Sequence, residues 1–363
     1  MSETTEPEPG AAATPARRGA RVGLDRATLR ADLRRLVPDT GAALVVTAVI
    51  FGILYARMVA GTSQTIMVMP YLADMSEYWM YVVCQAFGWS ALLWAWITIM
   101  LGLLRSSARV PRNPLTHARM ERLHRVTSLT TIGLMFAHML AFFLERVRAD
   151  EEAIGWGARL FSAFVEVFVP GGYATGTGQV AILLGLIAFY LAIPLGLAYY
   201  VRSWTGARVW RALHRFVIVV YVLSVWHTLL YGTNVWFDGW FRTVVWLLQV
   251  PVAALFLARL LTPLRPEERF RWSDLVGAER LRAVVALVAR ASLALTVVVL
   301  LAVTVTGRDG GRSPDVPAGE MLVGQDLVWA GLAVLLVLMG TVVAVLWGRP
   351  PRSARAARRE DAA

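Results

Sequence analysis

Five histidines occur in the 363-residue chain: His117, His124, His138, His214 and His227. Four of them fall two by two in apolar runs, "RLHRVTSLTTIGLMFAHML" and "ALHRFVIVVYVLSVWHTLL". Each run opens on Leu-His-Arg and places its second histidine toward the far end. The spacings, fourteen and thirteen residues, correspond to about 21 and 20 Å of helix rise. Imidazole is costly in hydrocarbon, and it is a sound axial ligand for haem iron. If the two runs are neighbours pointing the same way, His124 lies level with His214 and His138 with His227. Two facing imidazoles at one depth supply both axial positions of an iron, and two such pairs stack two haems across a membrane. That chemistry needs no acid, base or nucleophile, only two iron centres insulated from water. A single intramembrane histidine is more simply an interhelical hydrogen-bonding residue or a member of a proton relay; two matched pairs favour ligation. The phase is imperfect. Fourteen residues fall about 40° short of four full turns, whereas thirteen fall about 140° short. The second run must therefore tilt, supercoil or use different ring rotamers. His117 lies in a basic loop and reads as a solvated residue.

The elements that must position these side chains are membrane spans. The chain is 57% hydrophobic with a mean hydropathy of +0.56, more apolar surface than one water-soluble core can bury. Eight stretches are long and apolar enough to cross a bilayer, at about 42–60, 79–104, 124–144, 179–201, 210–231, 241–262, 283–305 and 326–347. The fold class expected is an all-α, polytopic integral membrane helical bundle of about eight transmembrane helices, with the two histidine-bearing runs as spans three and five. The net charge of +11 comes from arginine alone, since the sequence contains no lysine. Its placement in the gaps between apolar runs suits membrane topology better than nucleic-acid binding, so no nucleic-acid partner is expected. Arginines crowd the segment before span one, the connections between spans two and three, four and five, six and seven, and the C-terminal tail; residues 61–78 and 232–240 have none. That alternation places both termini in the cytoplasm of a multi-pass plasma-membrane protein. The single cysteine, Cys84, excludes intrachain disulfides and Cys-ligated clusters.

The expected organisation is an N-terminal cytoplasmic segment (1–41), a six-helix core (42–262), two further transmembrane helices (263–348) and a basic cytoplasmic tail (349–363). Residues 1–20 read as disordered. In 24–36, Leu29, Leu33 and Leu36 share a face opposite arginines, the pattern of a short helix on the cytoplasmic surface or of a solvated basic linker. Residues 151–172 are too broken to span and apolar enough to rest on the outer surface as a cap.

The paired histidines, their ranks as spans three and five and the "LHR" starts resemble the ferric reductase-like transmembrane family, which includes ferric reductases, NADPH oxidases and the haem subunit of a periplasmic methionine sulfoxide reductase. The resemblance covers about 42–262. It implies a six-helix core binding two b-type haems, with His124 and His214 holding the inner haem iron and His138 and His227 the outer. Larger members continue into a cytoplasmic FAD- and NADPH-binding module; here no GxGxxG appears and only about 20 residues separate spans six and seven, so no FAD or NAD(P) domain is expected.

Three functions follow as expectations. The first is a di-haem electron conduit that passes electrons from a cytoplasmic flavin reductase or membrane quinol to an extracytoplasmic acceptor such as ferric iron or oxygen. The second is a haem subunit serving a dedicated periplasmic redox partner. The third, of another class, is a non-redox transporter using the histidines for protons or metals; the spans carry few acidic residues and no Gly/Pro-broken helix pair of the kind such sites use. Arg125 and Arg215 directly follow the inner histidines, where they either pair with haem propionates or act as positive-inside anchors. Tyr221 and Phe136, at depths between the pairs, either shape the gap between centres or are plain core. Met67, Met69 and Met75 have no neighbouring His or Cys and read as interface packing rather than a copper site.

Overall fold

The computed structural model describes residues 23–106, 116–148, 155–174, 178–237, 239–262, 280–306 and 323–346. The expectations for residues 1–20 and for the basic tail lie outside the described residues. Among the described residues all regular structure is helical. Among the described residues seven helices are long and apolar enough to cross a membrane, and a bent pair counts as an eighth span when its two helices are taken together. The chain is a multi-pass membrane protein.

The first span is α1 (Arg26–Val59). Residues 24–36 do not form a separate surface helix, because α1 runs unbroken from Arg26 through Pro38 into the apolar stretch. Polar contacts to the bundle hold this stretch in line. The Asp32 carboxylate is fully buried against Arg125, and Asp39, next to the proline, accepts from Trp94 Nε1 (3.2 Å) and from the Thr130 hydroxyl. At the helix start, Asp25 caps through its side chain, accepting from the Thr28 amide and hydroxyl, as N-cap carboxylates do.

After a short helix, α2 (Gln64–Val68), α3 (Met75–Ser106) and α4 (His117–Arg148) form the most closely packed antiparallel pair. The cap expected over 151–172 is an amphipathic helix, α5 (Trp156–Phe168), which buries Ala163 and Val167 and is tied to α4 by an Arg146–Glu166 ion pair of 2.8 Å. The most buried span is α6 (Gly178–Leu197).

The span expected at 210–231 is broken. It consists of α7 (Arg202–His214) and α8 (Val217–Tyr231), joined by Arg215 and Phe216 and bent by 43°. The next span, Trp240–Leu261, comprises α9 (Trp240–Leu247) and α10 (Gln249–Leu261), joined through Leu248 without a sharp bend. Two further helices, α11 (Arg280–Thr306) and α12 (Gln325–Leu346), pack on α10 and α8 and on α6 and α7, respectively. They present large exposed apolar residues such as Leu295, Val334 and Val337, the expected lipid face of peripheral spans.

Candidate functional site

All four intramembrane histidines converge in two pairs. The rings of His124 and His214 lie 5.8 Å apart, centre to centre, and those of His138 and His227 lie 6.0 Å apart. The first two members sit on the unbroken helix α4, so the two pairs are separated by about 21 Å along its axis. Their partners come from α7 and α8, with the break between them. His214 is the last residue of α7 and His227 lies in α8. The thirteen-residue phase is therefore absorbed by backbone geometry at Arg215–Phe216, not by the rotamer of one ring.

The closely packed helix pairs are α3 with α4 and α6 with α8, while α4 and α8 are not among them. Helices α4 and α8 thus lean each on its own support helix, and the imidazoles span the gap between the two halves. The support helices do specific work. His138 Nδ1 lies 2.8 Å from the Cys84 carbonyl, His124 Nδ1 lies 2.8 Å from the Thr98 carbonyl, and His227 Nδ1 lies 2.7 Å from the Ala181 carbonyl. A carbonyl only accepts, so Nδ1 carries the proton in each case and Nε2 is left with its lone pair. This is the posture of a metal-ligating histidine, oriented through its second nitrogen.

Each of those carbonyls is followed four residues later by a glycine: Gly88, Gly102 and Gly185. In a helix the side chain at i+4 flanks the carbonyl of residue i, so a methyl there would block the imidazole. A Cβ on Gly88 would lie 3.0 Å from His138 Cε1 and Nδ1, on Gly102 2.9 Å from His124 Cε1, and on Gly185 2.8 Å from His227 Nδ1. Cys84 and Thr98, Gly88 and Gly102, and His124 and His138 share one fourteen-residue spacing, as two antiparallel helices in register require. These carbonyl–glycine notches were missed from the sequence. The signal was present, since two glycines in span two repeat the spacing of the histidines in span three.

His214 is the exception. The Leu195 carbonyl lies within its reach, yet Nδ1 is buried and makes no hydrogen bond. The residue four beyond Leu195 is Tyr199 rather than glycine. Aromatic contact replaces the notch: Trp210 stacks on His214 at 5.6 Å and 23°, and Tyr199 meets Trp210 edge-on at 5.6 Å.

The donor set fits haem better than a bare ion. Among the described residues no three His, Cys, Asp or Glu side chains converge on a point, and two imidazoles alone are a poor cage for a transition metal, which takes about four ligands. A macrocycle brings its own equatorial donors and needs only the axial pair. Two metal–imidazole bonds of about 2 Å, plus about 1 Å from each nitrogen to its ring centre, span about 6 Å, which the observed 5.8 and 6.0 Å match. At the His138/His227 end the pair lines a mostly apolar cavity together with Tyr81, Gln85, Trp89 and Phe142.

The basic candidates are placed differently. Arg125 is engaged by protein carboxylates: its Nε and Nη2 donate to Asp32 at 2.7 and 3.2 Å, and Nη1 donates to Glu121 at 3.1 Å. Its guanidinium also lies over the Tyr199 ring, 5.0 Å from the centroid. Arg105, not singled out from the sequence, bridges to Glu121 at 3.2 Å and lies near both His124 and His214. Arg215 follows His214 in the break and lines a cavity with Arg208, Arg211, Arg282 and Arg290 against α11 and α12. His117 is the first residue of α4, away from both pairs. Tyr221 is fully buried and donates to Gln249 Oε1 at 2.7 Å, whereas Phe136 is half exposed.

Residues 87–225 match the family described as ferric reductase like transmembrane component. The match runs from α3 into α8 and includes His124, His138 and His214; His227 lies two residues past its end. No curated protein and no solved structure matches the chain.

Proposed function

Because the chain carries a ferric reductase-like transmembrane domain, we propose that it is a di-haem, b-type electron-transfer protein of the membrane. The observation that carries this reading is the presence of two facing histidine pairs with three of four Nδ1 atoms anchored to support-helix carbonyls. His124 and His214 would hold one haem, and His138 and His227 the other. Haem supplies a one-electron ferric/ferrous couple at each pair when bound. The chain supplies the rest. The Thr98, Cys84 and Ala181 carbonyls fix the tautomer and aim Nε2 into the gap. Helices α3 and α6 hold α4 and α8 at a separation that the rings bridge. Between the pairs, buried residues such as Leu134, Leu184, Tyr221 and Val225 keep water out.

The arginine-rich end of the bundle, bearing His124 and His214, is proposed to face the cytoplasm. Electrons would enter from a soluble flavin reductase at the His124/His214 end or from membrane quinol within the bilayer, and leave from the His138/His227 pair to an extracytoplasmic acceptor. Service to a dedicated periplasmic reductase differs only in that acceptor. For Arg125, the ion pair with Asp32 supports a role in holding α1 on α4; Arg105 and Arg215 are the arginines proposed for the propionates of the inner group.

The test is optical. Protein purified after haem-supplemented expression should give a reduced-minus-oxidised b-type spectrum with two haems per chain. A colourless preparation that keeps its helical fold would overturn the proposal.

A further inference from the structure

A second cavity, of about 290 Å3, lies beside the first, between α1, α3, α8 and α9. Its mouth is formed by residues on the outside of the bundle: Ile53 is 55% exposed, Val244 45% and Trp240 76%. In a membrane protein such a mouth opens on lipid, so its ligand must arrive through the bilayer. Four aromatic side chains stand among the aliphatic residues of its wall: Trp89 and Phe241 meet edge-on at 5.0 Å, with Trp96 and Trp240 beside them, and Arg57, whose Nη2 donates to the Thr62 carbonyl, lies in the lining as well.

The lining is not uniformly apolar, as an acyl-chain crevice would be. Gln249 is only 2% exposed and reaches the cavity from α10, and burying a carboxamide among aromatics is costly unless its hydrogen bonds are met. Its Oε1 accepts from Tyr221, and one hydrogen of Nε2 goes to the Val245 carbonyl at 3.0 Å. A carboxamide has two N–H groups, and the second suits an incoming carbonyl oxygen. The Tyr221 oxygen, whose proton is spent on Gln249, suits an incoming hydroxyl. Asn234, also in the lining, donates to Gln85 at 3.3 Å, and Gln85 lines the histidine cavity. Trp89 and Leu92 line both cavities, so a ring seated here is one side-chain layer from His138 and His227.

A planar ring carrying oxygens that both accept and donate, soluble in the bilayer, is a quinone and its quinol. We infer that this lateral cavity binds the ring of a membrane quinone. The inference rests on the proposed electron-transfer role for its purpose, since it names the chemical class of the membrane partner; the binding itself does not require haem.

The experiment uses the purified full chain in lipid nanodiscs, with haem content measured first. An azido derivative of a short-chain naphthoquinone is photolysed and cross-linked peptides are identified by mass spectrometry. Affinity for the parent naphthoquinone is measured for wild type, Val244→Trp at the mouth, and Val334→Trp on the lipid face of α12. The expected result is cross-linking confined to the cavity-lining stretches of α1, α3, α8, α9 and α10, with at least about tenfold weaker binding for V244W and an affinity for V334W equal to that of wild type. A saturated alcohol of equal chain length should not compete. Cross-links spread over the lipid face, competition by the alcohol, or unchanged affinity of V244W would each overturn the inference. Quinone binding by a haem-free preparation would sink the di-haem reading and leave this one standing; a two-haem preparation that binds no quinone would do the reverse.

Discussion

The imidazole of His227 rests on α6 with Nδ1 2.7 Å from the Ala181 carbonyl and its ring in the space that a side chain at residue 185 would occupy. Gly185 is therefore a positioning residue, and Gly88 and Gly102 do the same for His138 and His124. Replacing glycine by alanine inside a helix normally stabilises it by about 1 kcal/mol. Here the added methyl must push the ring away. Gly185→Ala and Gly88→Ala should each lose about one haem equivalent while the far-UV helical signal is retained. Gly133→Ala, where the new methyl meets nothing within 4 Å, is the control and should keep full haem content and a slightly higher Tm.

Ligand pairs act as units. His138→Ala and His227→Ala should each remove about one haem, and the H138A/H227A double variant should remove no more than either alone. H124A/H227A, which breaks both pairs, should remove about two. Haem quantification per mole of chain distinguishes these; additive loss in the first double variant would contradict the pairing.

The pair at the other end is held unevenly. His214 Nδ1 makes no well-aligned hydrogen bond to the nearby Leu195 carbonyl, and its ring stacks on Trp210 instead. An unbonded Nδ1–H makes a less basic ligand than one donating to a carbonyl. Trp210→Leu should loosen His214 alone, so the loss falls on one haem and shows as faster release of haem to an apo-globin acceptor. Trp204→Leu, at a half-exposed position on the same helix, should release haem at the wild-type rate.

Asp32 is wholly buried and takes two hydrogen bonds from Arg125 and one from the Tyr200 hydroxyl at 3.1 Å. Removing one partner of a buried pair leaves the other charge uncompensated and costs about 3–5 kcal/mol. Asp32→Ala should lower thermal stability by that order, and Asp32→Ala/Arg125→Met should recover part of it. Thermal denaturation in detergent, followed by circular dichroism, reads both.

Asp25 gives a smaller, pH-dependent effect. Hydrogen bonds from the Thr28 amide and hydroxyl, aided by Arg202, hold its carboxyl below the ordinary carboxylate value of 3.8. A lowered pKa in the folded state means stability that is present above pH 3.8 and is lost as pH falls through the folded value. Asp25→Ala should therefore cost about 1 kcal/mol at neutral pH, with the difference from wild type closing in acid. A difference that persists unchanged into acid would rule out the carboxylate as the source.

The sequence by itself determined which helices carry the histidines and at what depth. Both are local properties: hydropathy marks a span within some twenty residues, and helix rise converts the spacing of His124 and His138 directly into distance. Arginine placement, also local, predicted the alternation of loops. What the tertiary structure decided was how the second run reconciles its thirteen-residue spacing, and it did so by breaking the helix at Arg215–Phe216 rather than twisting a ring. It also decided that 24–36 continues into the first span, because Asp32 finds Arg125 ninety-three residues away. The notches at Gly88, Gly102 and Gly185 belong to the same class. A glycine's lack of a side chain acquires meaning only when another helix brings an imidazole against it, and that depends on packing between spans, which no period along the chain records.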